Sequence, residues 1–169
     1  DKVGLEENNY IVMTLHRPTN VDGEKILKGL IEEIIRNSRS IPIIFPVHPR
    51  TENRLKSIGI SYPNLHTIKP LGYLEFNYLV ERAKAVITDS GGITEETTVM
   101  NVPCMTLRDN TERPETIELG TNELLGVNPK AIGPAMGKLF SGDWKDGEVP
   151  YLWDGKTAKR IVQHLLHFS

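Results

Sequence analysis

The chain has 169 residues, with 20 Lys and Arg against 22 Asp and Glu, a formal charge of −2. That near-balance speaks against a nucleic-acid protein held by a broad basic face. With 38% hydrophobic and 25% charged residues, the composition is that of an ordinary globular domain, and the length fits one domain over 1–169 with room for a core.

Short apolar runs alternate with amphipathic stretches. Tyr10–Leu15 (YIVMTL) reads as a buried strand, and a polar loop, His16–Gly23, follows. Glu24–Arg39 places Ile26, Leu27, Leu30, Ile31, Ile34 and Ile35 on one helical face, with Asp22 as the expected N-cap. Pro42–Val47 is the second strand, ending at His48-Pro49-Arg50. Thr51–Ile58 is a short helix stopped by Gly59. Asn64–Lys69 is the third strand. Tyr73–Lys84 is a helix with Leu74, Tyr78, Leu79 and Ala83 as its expected buried side. Ala85–Thr88 is the fourth strand, followed by the turn Asp89-Ser90-Gly91-Gly92 and a helix over Ile93–Met100. Val102–Leu107 is the fifth strand. Arg108–Arg113 is a polar loop, and Pro114 sits where a helix's first turn tolerates proline. Thr121–Gly126 reads as a sixth strand, and Pro129–Phe140 and Lys156–Phe168 as closing helices. The last of these carries Ala158, Ile161, Val162, Leu165 and Leu166 on one side. Ser141–Gly155 reads as a connector pinned by Trp144 and Trp153. Strands alternating with helices predict a mostly parallel α/β sheet.

Several classes lose support. No apolar run approaches the roughly 20 residues of a membrane span, and the densest, Ile41–Val47, contains Pro42 and Pro46. The start, Asp1-Lys2-Val3-Gly4, is read as neither a signal nor a transit peptide. One cysteine, Cys104, forms no internal disulfide or cysteine cluster and reads as inert core; a reducing, cytoplasmic location is expected. Five histidines without an HExxH pair give a zinc site no support. No GxGxxG follows the first strand and no GxxxxGK[ST] occurs, so dinucleotide and P-loop fingerprints are missing.

In an open α/β sheet, ligands bind beyond the carboxyl ends of the strands, so the loops there carry the candidate chemistry. Ser90-Gly91-Gly92 opens a helix, where two glycines admit a close ligand backbone and the free N–H groups favour phosphate; a plain strand-to-helix turn is the alternative. Glu95 and Glu96 follow in that helix, where carboxylates near the start are favourable without any ligand. In the loop Arg108–Arg113, six polar residues are costly to order unless they bind something. Arg113 is the better anion partner there, against a solvated Arg–Glu pair. His16 can donate to a phosphate or protonate a leaving oxygen, or merely cap the next helix. His48 carries the same argument less strongly. Phe76 and Tyr73 open a helix, where aromatic rings more often pack in the core than stack on a base.

Taken together, these segments resemble the C-terminal half of the non-hydrolysing UDP-N-acetylglucosamine 2-epimerases. The carrying segments are Thr14-Leu15-His16-Arg17, Pro46-Val47-His48-Pro49, Leu71-Gly72-Tyr73-Leu74-Glu75-Phe76, Thr88-Asp89-Ser90-Gly91-Gly92-Ile93-Thr94-Glu95-Glu96 and Arg108-Asp109-Asn110-Thr111-Glu112-Arg113-Pro114-Glu115. The resemblance runs from about Tyr10 to the last helix. It implies one Rossmann-like half of a glycosyltransferase-B-type enzyme whose N-terminal domain is absent here. By resemblance, Ser90, Gly91 and Gly92 hold the UDP diphosphate, Glu96 accepts from the ribose hydroxyls, and Phe76 lies by the uracil. His16 and Arg113 contact the diphosphate and help UDP depart. Arg17 and His48 match positions that contact a regulatory UDP-sugar in some bacterial members, although many of those carry Glu where this chain has Thr19. The implied reaction inverts C2 of the sugar by UDP elimination and re-addition, interconverting UDP-GlcNAc and UDP-ManNAc, with no metal or organic cofactor. Implied partners are the UDP-sugar and the missing domain, with a homodimer of the complete protein left open; no nucleic acid or membrane is expected. A glycosyltransferase donor half and a non-enzymatic nucleotide-sugar sensor are the competing readings.

Overall fold

The computed structural model describes residues 4–167; the expectations on Asp1-Lys2-Val3 and Phe168 lie outside it. The strands are β1 (Ile11–Thr14), β2 (Ile43–Pro46), β3 (Leu65–Ile68), β4 (Ala85–Thr88), β5 (Cys104–Thr106) and β6 (Asn122–Leu124). They form one parallel sheet in the order β3-β2-β1-β4-β5-β6. Parallel neighbours need a crossover, and each carries helix. The helices are α1 (Pro18–Val21), α2 (Glu24–Asn37), α3 (Pro49–Ser57), α4 (Tyr73–Glu81), α5 (Gly91–Met100) and α6 (Glu115–Glu118). A 3₁₀ turn (Pro129–Ala131), α7 (Ile132–Ser141) and α8 (Thr157–Leu166) follow β6.

The inner strands β1, β2, β4 and β5 read as largely apolar runs because both sheet faces are covered there, and the side-chain period of two divides them, whereas the edge strands β3 and β6 carry polar residues. Ile11, Met13, Ile43, Phe45, Ala85 and Ile87 face the larger core with Leu27, Leu30, Ile31 and Ile34 of α2 and Ile132, Ala135, Met136 and Leu139 of α7. Val12, Ile44, Val86 and Cys104 face a smaller core with Val80 and Ala83. The sixteen-residue helix expected from Glu24 ends two residues early. Its N-cap is Gly23, not Asp22, which closes α1 instead and lies 3.8 Å from Arg54 Nη1. The expected loop after β1 contains α1, which Pro18 starts at a position needing no N–H. α4 stops at Glu81, and its buried side matches the expectation in part: Ala83 is buried in the smaller core and Leu79 packs against it. Leu74 and Tyr78 are 82% and 63% exposed, and Val80 is buried in their place. α8 forms where its periodicity predicts, but it closes nothing. None of its residues is buried, and Ile161, Val162 and Leu165 are each more than half exposed.

Topology places the strand order's reversal between β1 and β4, from which the chain winds outward in opposite directions. That switch point opens a crevice at the carboxyl ends of the two strands. Thr14 pairs in register with Thr88, and their hydroxyls lie 2.7 Å apart. The residues following the two strands, His16 and Asp89, therefore emerge side by side.

Burial separates two leucines that the sequence pattern treats alike. Leu30→Ala, at a fully buried position, is expected to cost about 2–5 kcal/mol. Leu74→Ala is expected to stay within about 0.5 kcal/mol of the parent. Urea denaturation measures both, and a comparable loss in Leu74→Ala would contradict the exposed face of α4.

Candidate functional site

The site is built around the glycine turn at the end of β4. Asp89 has no solvent exposure. Its carboxylate accepts from the backbone N–H of His16 at 3.1 and 3.2 Å, of Arg17 at 2.9 Å, and from Asn20 Nδ2 at 3.0 Å. His16 Nδ1 lies 2.8 Å from Asp89 Oδ1, while the ring itself is 62% exposed. Asn20 also donates to the Leu107 carbonyl, tying in the loop after β5.

One residue later the chain turns into α5. Ser90 is the N-cap but makes no side-chain cap bond, so its hydroxyl does not occupy the helix's first N–H groups. A Cβ on Gly92 would meet nothing within 4 Å, so packing does not demand glycine there. A Cβ on Gly91 would come within 3.2 Å of Arg108 Nη1. Arg108 is 4% exposed and bonds Asn110 and Glu112 at 3.3 and 2.7 Å; its Nε has no protein partner. The hydrogen bond from Arg108 holds the Glu112 carboxyl below its ordinary value. The polar loop is thus ordered by its own ion pair, which removes the argument that its order requires a ligand.

A cavity of about 560 Å³ opens beside α5, bounded by Tyr73, Glu95, Glu96, Arg113 and Trp153. That volume suits a small-molecule ligand. Arg113 is half-exposed and ion-pairs with Glu95. Burial pushes the Glu96 carboxyl above its ordinary value, and hydrogen bonds from Tyr73 and Asn77 oppose the shift. Of the sequence candidates, Glu96 and Arg113 share this cavity, with Ser90, Gly91 and Gly92 at the head of the same helix and His16 across the crevice. Phe76 does not line the cavity; it is half-buried against the smaller core, as its helical spacing suggests. His48 follows β2 along the same edge of the sheet, where its carbonyl accepts from Thr51 and Glu52 in the first turn of α3. Arg17 reaches the site through its backbone bond to Asp89 and sits close enough to Glu112 to lower that carboxyl's pKa. Cys104 is fully buried, and its thiol is pushed up to about 11 by desolvation, as inert core requires. Trp144 pins the connector through Thr121, at 2.8 Å. Asp89 and Arg108 carry no role in the sequence reading, and Tyr73, whose helical spacing favours the core, is instead 69% exposed at the cavity wall. The usable signal was an acid adjoining a Ser-Gly-Gly turn at a strand end. Among the described residues, no three His, Cys, Asp or Glu side chains converge to hold a metal ion.

The sequence profile described as UDP-N-acetylglucosamine 2-epimerase matches residues 1–166. The chain belongs to that family. It is 41% identical over 170 residues to the UDP-N-acetylglucosamine 2-epimerase of Methanocaldococcus jannaschii, covering 95% of this chain and 45% of that protein. It is 32% identical over 166 residues to a UDP-2,3-diacetamido-2,3-dideoxy-D-glucuronate 2-epimerase of Pseudomonas aeruginosa, covering 96% and 46%. The crystal structure of the M. jannaschii epimerase in complex with UDP-GlcNAc and UDP superposes with a TM-score of 0.79 at 40% identity. The match covers 95% of this chain and 46% of that one. An Escherichia coli heptosyltransferase solved with ADP matches at 0.54 and 18% identity over 80% of this chain and 45% of that one, which shows a shared fold alone. This epimerase-family chain thus spans under half the length of the relatives it matches.

The raised pKa of Glu96 gives a signed expectation. Folding favours the protonated carboxyl, so its ionisation costs stability above the folded-state pKa, and that cost disappears as pH falls below the ordinary value of 4.5. Relative to the parent, Glu96→Gln should therefore be most favoured at neutral pH and lose that advantage on acidification. Urea midpoints at the two pH values check the sign; a relative advantage that grows on acidification would contradict it.

Proposed function

We propose that this chain is the UDP-binding half of a UDP-GlcNAc 2-epimerase, and that the whole protein interconverts UDP-GlcNAc and UDP-ManNAc. One observation carries the reading. A Ser-Gly-Gly helix start, whose second glycine packing does not require, stands at the sheet's switch point with Glu96 one turn along and His16 opposite. Helix N–H groups with no side-chain cap, under a positive dipole end, fit a diphosphate. Glu96, at the cavity wall, fits hydroxyl donors such as those of a ribose. Arg113 fits the diphosphate once it exchanges Glu95 for phosphate oxygens. Phe76 is assigned to the uracil by family likeness, and Arg17 and His48 to a regulatory UDP-sugar.

In the proposed reaction a base removes the C2 proton, UDP departs to leave a glycal, and UDP adds back with reprotonation on the other face. UDP leaves carrying additional negative charge. Preorganised donors at its diphosphate are this half's contribution to the rate, and proton removal at C2 falls to the part of the protein outside this chain. The relatives' names favour this reading over a glycosyltransferase donor half, for which the heptosyltransferase supplies only fold. The lone buried Cys104 is consistent with a reducing, cytoplasmic location.

Calorimetric titration of the chain with UDP tests the reading, with uracil and pyrophosphate as controls. Weak UDP binding and no epimerase turnover are expected. Arg113→Ala should weaken binding about tenfold or more, the scale of one charge-assisted hydrogen bond. Gly92→Ala should raise stability by about 0.5 kcal/mol, because glycine is a poor helix residue, while weakening UDP binding. Unchanged UDP affinity in both variants would overturn the placement of the diphosphate.

A further inference from the structure

The buried acid beneath the glycine turn has a use that its backbone bonds do not exhaust. Asp89 Oδ2 receives Arg17 N–H and Asn20 Nδ2 and shares His16 N–H, whereas Oδ1 has only that shared bond, at 3.2 Å, besides the ring nitrogen at 2.8 Å. Apart from the ring, the partners of the two Asp89 oxygens are three N–H donors, and a carboxylate so placed only accepts. His16 Nδ1 must therefore be the donor. We propose that Asp89 is the positioning residue of His16: it accepts the Nδ1–H hydrogen bond, fixes the ring's tautomer, and leaves Nε2 as the one nitrogen facing the crevice.

The arrangement follows from topology. β1 and β4 are in register to their ends, so residues 73 apart in sequence meet across the switch point. The ring is exposed on its far side, so it is not there to fill the core. With Nδ1 committed, the neutral ring presents a lone pair at Nε2, and the cation presents a proton there, steadied by the carboxylate behind it. That is the orienting role an acid plays behind a histidine base. Asp89 adjoins Ser90, the N-cap of α5, so the ring it holds stands beside that helix start. In the elimination proposed above, a proton donor there would meet the charge developing on the departing diphosphate. That last step rests on the UDP reading; the tautomer does not.

Nitrogen-15 NMR of the histidine rings tests the tautomer in the chain itself, about two units above the ordinary imidazole pKa of ~6.5. His16 signals are identified by their loss in His16→Gln. The expected spectrum has Nδ1 protonated and Nε2 bare. In Asp89→Asn the amide oxygen stays with the three donors now at Oδ2, and its NH₂ turns to the ring. Nδ1 must then accept, so the tautomer should reverse. A purely structural Asp89, one that only caps the backbone of the β1 loop, would leave the parent ring in the Nε2–H form; that spectrum overturns the proposal, and so does an unreversed tautomer in folded Asp89→Asn. The parent spectrum decides even if that variant does not fold. Failure to bind UDP, by contrast, would overturn the nucleotide reading and leave the His16–Asp89 pair standing.

Discussion

A carboxylate without solvent contact sits where the sheet's winding reverses, and the site's geometry depends on how it is satisfied. Burying an isolated charge is costly enough that it persists only with a full set of donors. Asp89 gets them from one place, the loop after β1, through two backbone N–H groups, the Asn20 amide and the His16 ring. Meeting that requirement pins the β1 loop to the β4 turn. It sets the start of α5 relative to His16, and through Asn20 it reaches the chain leaving β5. Three loops that are distant in sequence are thereby held at one crevice before any ligand arrives.

The two arginines of the loop after β5 divide the electrostatic labour. Arg108 is buried behind Gly91 and spans the loop to Glu112, whose carboxylate reaches the same glycine, so the pair is fixed in place beside the start of α5. Arg113 is half-exposed, and its partner Glu95 stands on the cavity wall. An exposed pair of this kind is worth little, so exchanging Glu95 for an anion with several oxygens is energetically open. A fixed ion pair behind the turn and an exchangeable cation beside it suit a ligand whose charge changes during a reaction.

Much of this was legible in the sequence, for identifiable reasons. β4 falls on its expected residues, Ala85–Thr88, because a run buried on both faces has no polar interruption and ends at a turn. α2 was visible because its apolar stripe lies on a single face. Asp22 misled because a capping residue type next to a helical stripe does not fix which residue caps; with α1 present, Asp22 belongs to the end of the earlier helix. Leu74 and Tyr78 misled because α4 is nine residues long and apolar on more than one side, so periodicity could not choose which side the sheet covers. Arg113 was favoured over Arg108 on chemistry alone, although the strand leading into Arg108 carries it into the protein. The Asp89–His16 contact has no local signature: it exists only once β1 and β4 are neighbours in register, a property of the strand order.

The cavity's walls differ in how firmly they are held. On one side stand Glu95 and Glu96, on a helix whose Thr94, Thr97 and Thr98 are buried against the sheet. On the other stand Trp153 and Thr157, from the connector and the first turn of α8, an element with no buried residue. Rigidity therefore comes from the sheet side, through the same helix that begins at the glycine turn. A nucleotide bound by this chain alone would draw its affinity from that side, from N–H groups, a cation and a carboxylate fixed by the core. The α8 side adds surface from an element that no buried side chain anchors to the core. The anion-binding end of the proposed site is thus preorganised by the fold, whereas the opposite wall is only as firm as whatever holds α8.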